Sequence, residues 1–157
     1  QPGIPPEALA LSPQNLAQRQ LETRRFDTLD EASLLSASAG VLQDLGFTIE
    51  ESETPLGLIV ATKDRDATET GQIVAAVLLA VLTGAVVATD KHQKIRASLV
   101  TAPYEDGTST RVRVTFQRLV WNTQNQITRI EGLRDPLLYQ EFFNKLSESV
   151  FLEAHQI

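Results

Sequence analysis

Residues 28–47 read TLDEASLLSASAGVLQDLGF and contain every signal of one amphipathic helix. Thr28 and Glu31 stand at the spacing of a capping box, in which the hydroxyl accepts a free backbone N–H and the carboxylate reaches back to another. Leu34, Leu35, Ser38, Val41, Leu42 and Leu45 recur at intervals of three and four, the period of a helix that buries one face. Gly46 suits the left-handed conformation that ends a helix, and Phe47 is placed to fold back as the apolar contact beyond it.

Strand patterns flank this helix. On its N-terminal side, Leu21, Thr23 and Arg25 alternate with Glu22, Arg24 and Phe26. On its C-terminal side, Phe47–Glu50 alternates, Thr54-Pro55-Leu56-Gly57 turns, and Leu58–Thr62 runs back. Two longer strands, Lys94–Thr101 and Thr110–Trp121, enclose Tyr104-Glu105-Asp106-Gly107, whose Asp-Gly pair signals a hairpin. Ile95, Ala97 and Leu99 face one side, as do Val112, Val114 and Phe116. Leu119 and Trp121 have the opposite parity, so a bulge is expected near Gln117-Arg118. Asn122–Asn125 turns into a short strand over Gln126–Glu131.

Asp135 as N-cap and Pro136 at the first helical position open a last helix. Leu138, Phe142, Leu146 and Val150 form its stripe, widened by Tyr139, Phe143 and Phe151. The order is strand, helix, two strands, an insertion, three strands and a helix. It predicts an α+β fold, an antiparallel sheet with helices packed on one face in a helix-grip-like arrangement.

The insertion, about residues 67–89, is the unusual part. Asp66-Ala67-Thr68-Glu69 is a second capping-box-like start, and Ile73–Leu82 is wholly apolar. A helix here has no polar face to turn toward water. From Ala67 to Thr83 it would span about 26 Å at 1.5 Å per residue, short of a hydrocarbon core of about 30 Å. Burial in the core, self-association, and insertion into a membrane or over an apolar ligand remain open. Burial by copies or partners is favoured over a lone transmembrane span. The contact residues expected on that reading are Ile73, Val74, Val77, Leu78, Val81 and Leu82.

A chain of 157 residues, 42% hydrophobic and 22% charged, has the size of one globular domain. It can bury about 70% of its unfolded surface without a disulfide or metal staple. The absence of cysteine excludes thiol catalysis and zinc–thiolate sites. Residues 1–18 read as a Pro-rich leader through Pro2, Gly3, Pro5, Pro6 and Pro13, and residues 19–157 as a single domain. The start Gln1-Pro2-Gly3 without Met is read either as an artificial end or as the product of signal-sequence processing. A lipid anchor upstream of Gln1 is expected on the second reading.

The net charge of −6 argues against a general nucleic-acid binder. From Lys94 to Arg134, however, seven basic residues face three acidic ones, which leaves the rest of the chain near −10. Arg96, Arg111 and Arg113 are expected on the polar side of the two long strands. They suit anionic glycans, lipid headgroups or an acidic protein patch, or else an ordinary solvated face with cross-strand pairs. Catalytic signals are sparse. His92 and His155 have no metal-spaced partners, Asp64-Arg65-Asp66 is a weak DxD, and Glu50, Glu51 and Glu53 read as an exposed strand edge. No catalytic residue, metal or cofactor is expected.

Arg24-Arg25-Phe26-Asp27-Thr28, Val41-Leu42-Gln43-Asp44-Leu45-Gly46-Phe47 and Glu53-Thr54-Pro55-Leu56-Gly57-Leu58-Ile59-Val60-Ala61 resemble small outer-membrane lipoproteins of Gram-negative bacteria. The strand-helix-strand-strand opening and the closing helix are similar to the helix-grip domains of the lipoprotein subunit of the barrel-assembly machinery. The resemblance covers about Gln20 to Leu152. It departs in the missing lipid-bearing cysteine and in the apolar insertion, and it carries over no functional residues. It implies a lipid-anchored domain on the periplasmic side of the outer membrane. The expected function is a non-enzymatic assembly component of a cell-envelope complex. It would act through the apolar helix on a second copy or an envelope protein. The alternative is a carrier or binding module for a lipid or other hydrophobic ligand.

Overall fold

The computed structural model describes residues 13–64 and 90–155. In chain order they form helix α1 (Pro13–Glu22), strand β1 (Thr23–Phe26), helix α2 (Glu31–Asp44) and strands β2 (Thr48–Glu53) and β3 (Leu58–Asp64). Strands β4 (Asp90–Pro103), β5 (Thr110–Asn122) and β6 (Ile127–Gly132) and helix α3 (Pro136–His155) follow. The expected α+β class is therefore seen. All strand pairings are antiparallel, in the order β1-β5-β4-β3-β2, and β6 also pairs with β5. The two short strands share one edge of β5: β1 takes Thr110–Arg113 and β6 takes Gln117–Trp121.

Helix α2 starts two residues later than the capping box implies. Asp30 is its N-cap and accepts the Ser33 amide at 3.0 Å, while Thr28 accepts the Asp30 amide in the preceding turn. Glu31 instead accepts the Thr101 hydroxyl of β4 at 2.7 Å. The stop is the expected one. Gly46 has φ 93°, and the Phe47 and Gly46 amides donate to the Leu42 and Gln43 carbonyls, both at 3.0 Å. Below this end the buried Lys63 ammonium donates to the Leu45 carbonyl at 2.6 Å, a cation at the negative pole of the helix.

These two ties fix how α2 lies. Thr101 and Ile95, the partner of Lys63, are six residues apart on β4, about 20 Å of strand. The 14 residues of α2 rise about 21 Å, so the helix runs lengthwise over β3 and β4. Helix α3 lies beside it in the opposite direction. Asp135 caps it, accepting the Leu137 amide at 3.0 Å, and Tyr139 meets β5 at Phe116. Further on, Arg24 of β1 donates to Ser147 and packs over the Phe143 ring. Between helices and sheet lie Leu34, Leu42, Ile59, Leu99, Phe116 and Phe142, all fully buried. Phe116 packs edge-on to both Tyr139 and Phe142, at 5.4 and 5.7 Å between centroids.

Tyr139 also closes the gap that β1 and β6 leave on the edge of β5. Its hydroxyl donates to the Leu133 carbonyl at 2.6 Å and accepts the Phe116 amide at 3.3 Å, while the Leu133 amide donates to the Phe116 carbonyl at 2.8 Å. Burial pushes its pKa up to about 12.

Three expectations are corrected. Residues 13–18, read as the end of the leader, belong to α1, as do Leu21 and Glu22, read as strand. The strand begins at Thr23 because the Thr23 hydroxyl donates to the Arg19 carbonyl and closes the last turn. No bulge occurs at Gln117-Arg118. The β4–β5 register runs unbroken from Gln93–Val120 to Pro103–Thr110 and shifts only at Asp90/His92. Strand β5 keeps strict alternation by placing Arg118 on the helix-covered face, where Glu131 pairs with it at 2.8 Å. Phe151, read as part of the α3 stripe, is 60% exposed. The insertion expected at about 67–89 lies outside the described residues.

Candidate functional site

Among the described residues, helices α2 and α3 lie on the same face of the sheet. The opposite, open face is built by register: Arg111, Arg113, Thr115, Gln117, Leu119 and Trp121 of β5 stand opposite Ala102, Val100, Ser98, Arg96, Lys94 and His92 of β4. Leu58, Val60, Thr62 and Asp64 of β3 extend the rows. Arg96, Arg111 and Arg113 thus lie on the open face, as the alternation predicts. Leu119 and Trp121 stay on that side too, Leu119 buried and Trp121 half-buried, so the face is open mainly at its Val100–Arg111 end; Ile130 of β6 pairs with Leu119. Trp121 stacks flat on His92, with ring centroids 4.6 Å apart. Val100 and Ile130 are exposed apolar side chains.

The arginines are held differently. Arg96 donates from Nε to the Gln117 amide oxygen at 3.1 Å. Arg113 donates from Nε and Nη2 to Glu22 Oε1 at 3.2 and 3.0 Å. Gln18 donates to the other Glu22 oxygen at 3.1 Å and to the Leu133 carbonyl at 3.3 Å. Arg111 lies over one side of the Tyr104 ring at 5.8 Å, and Arg25 of β1 lies over the same ring at 5.4 Å. Arg25 is also bonded to Asp106. The Asp106 carboxyl sits below the ordinary carboxylate range, because the Thr108 amide, the Ser109 hydroxyl and Arg25 favour its charged form.

Helix α1 turns the arginine end of this face into a cleft of about 510 Å³. Leu16 and Arg19 of α1 form one wall, and Val100, Ala102, Arg111 and Arg113 form the other. Sequence patterns missed this wall because the Pro-rich reading ran through Pro13. The available signal was Ser12-Pro13, the same cap-then-proline pair that Asp135-Pro136 makes before α3.

Among the described residues, no cluster of three or more His, Cys, Asp or Glu side chains could hold a metal ion. Glu50, Glu51 and Glu53 line the edge strand β2, where Glu50 accepts the Thr62 hydroxyl at 2.6 Å. Among the described residues no helix is long and apolar enough to cross a membrane. Ile73, Val74, Val77, Leu78, Val81 and Leu82 lie outside the described residues. The strands that flank them, β3 and β4, are neighbours in register, with Asp64 opposite Lys94. Compared with known proteins, the chain matches no family model and no curated sequence.

Proposed function

We propose that this protein is a non-enzymatic assembly domain of a cell-envelope complex, lipid-anchored on the periplasmic side of the outer membrane, which holds a second copy or an envelope protein. One observation carries the reading: among the described residues, helices α2 and α3 lie on one face of the sheet, and the other face carries exposed Val100 opposite Arg113 and exposed Ile130 opposite Leu119, with Arg96 and Arg111 on the same face. That mixture of apolar and guanidinium groups is typical of contact surfaces. The apolar stretch Ile73–Leu82 joins strands that end at the border of this face, and it is proposed to share the contact. Light scattering tests the reading with wild type, Ile130→Glu and Leu78→Glu. A defined complex that loses mass in either variant, with the circular dichroism spectrum unchanged, supports it. An unchanged mass in both variants removes it.

A carrier for an amphiphile is the second reading. The cleft beside α1 favours it, since it combines apolar side chains with three arginines.

A further inference from the structure

We infer that the cleft between α1 and the open face binds a single-chain amphiphile whose head is an oxyanion, a phosphate or a carboxylate. The inference rests on the carrier reading and names the ligand class for it. Three guanidiniums, Arg19, Arg111 and Arg113, line the cleft, and Glu22 neutralises Arg113. Among the described residues no carboxylate stands within ion-pair distance of Arg19 or Arg111. Two positive charges are therefore in excess inside one concavity, on a chain whose net charge is −6. A planar guanidinium presents paired donors that match an oxyanion, and the walls of a cleft strengthen the attraction over that of a flat surface.

The rest of the lining selects what the anion is attached to. Leu16 and Val100 are 48% and 45% exposed, and Val100 and Ala102 of β4 stand opposite Arg113 and Arg111 of β5. An inorganic anion would leave these side chains in water, whereas an alkyl tail covers them. The volume of about 510 Å³ falls in the range of small-molecule sites, roughly 300–1,000 Å³.

Calorimetric titration of the whole chain with octyl phosphate below its micelle concentration tests this, beside inorganic phosphate and 1-octanol as head and tail alone. Saturable one-to-one binding of octyl phosphate, weakened about tenfold in Arg111→Gln and also weakened in Val100→Ser, is expected. Arg96→Gln, on the same face but outside the cleft, should bind as wild type does. All three side chains are at least partly exposed, and circular dichroism checks that the variants fold. Inorganic phosphate binding as tightly as octyl phosphate, or equal losses in Arg111→Gln and Arg96→Gln, would overturn the amphiphile site. If 1-octanol binds as tightly as octyl phosphate, the anionic head is wrong while the carrier reading stands. If no probe binds, both fall.

Discussion

The Arg113 guanidinium and the Glu22 carboxylate meet at 3.0 Å across the seam between α1 and β5, with Glu22 buried and Arg113 partly open to water. The pair ties the wall of the cleft to the sheet, beside the Gln18–Leu133 hydrogen bond and the packing of Leu21 on the core. Replacing Glu22 by Ala should cost about 1–2 kcal/mol, at the lower end for a charged hydrogen bond because Arg113 can turn to solvent. Urea unfolding should show the loss, and limited proteolysis should cut first within α1. Unchanged stability would mean that α1 docks by other contacts.

Tyr139 makes stability fall at high pH. Its hydroxyl is buried and titrates at about 12 in the fold, against 10 for a free tyrosine. Between those values the unfolded chain has released the proton and the folded chain retains it, so raising the pH draws the equilibrium toward unfolding. The stabilisation is complete below pH 10 and should decline by about 3 kcal/mol toward pH 12. Tyr139→Phe should lose stability near neutral pH, since the Phe116 amide and the Leu133 carbonyl lose their partner. Its decline between pH 10 and 12 should be shallower than that of wild type.

Gly57 admits no side chain. It has φ 63°, and an added Cβ would lie 2.5 Å from the Thr101 hydroxyl and 2.8 Å from the Thr101 carbonyl. Thr101 is itself bonded to Glu31 at the start of α2, so it cannot yield without loosening the helix. Gly57→Ala should destabilise by about 1–3 kcal/mol, while Gly107→Ala, with open space around it, should cost less. Thermal unfolding of the two variants side by side checks the order.

Acid should weaken two turns. Asp30 accepts the Ser33 amide and hydroxyl, and Asp106 accepts from Thr108 and Ser109; both carboxyls are held below their ordinary value. Their charged forms stabilise the fold above the unfolded carboxylate range, and the contribution disappears as the pH falls below it. Asp30→Asn and Asp106→Asn should each flatten the acid side of the stability profile.

Much of this architecture is legible in the sequence. Helix α2, its Gly46–Phe47 stop, the hairpin at Asp106-Gly107 and the Asp135-Pro136 start all rest on local chemistry, and the structure places each within two residues. The open-face arginines were readable because alternation alone assigns a side. What escaped depends on long-range compensation. A charged residue at an inward position ordinarily argues for a register change, but Arg118 is tolerated there because Glu131, on a different strand, neutralises it. Glu22 looked like strand because its partner Arg113 is far away in the chain, and Leu16 looked like leader because the wall it faces across the cleft is equally distant in sequence. The cleft exists only once β1 has been paired to the middle of the fold.

The open sheet face as a contact surface is the central claim, and the lack of native cysteine allows it to be probed directly. Thr115→Cys places a thiol on the open face, and Ser36→Cys places one on the exposed side of α2. Alkylation rates would be compared in the cell fraction that retains the protein and in the purified, folded chain. The account predicts that Thr115→Cys is protected in the cell fraction while Ser36→Cys reacts freely. Free reaction at Thr115→Cys, with protection at Ser36→Cys or nowhere, would contradict it.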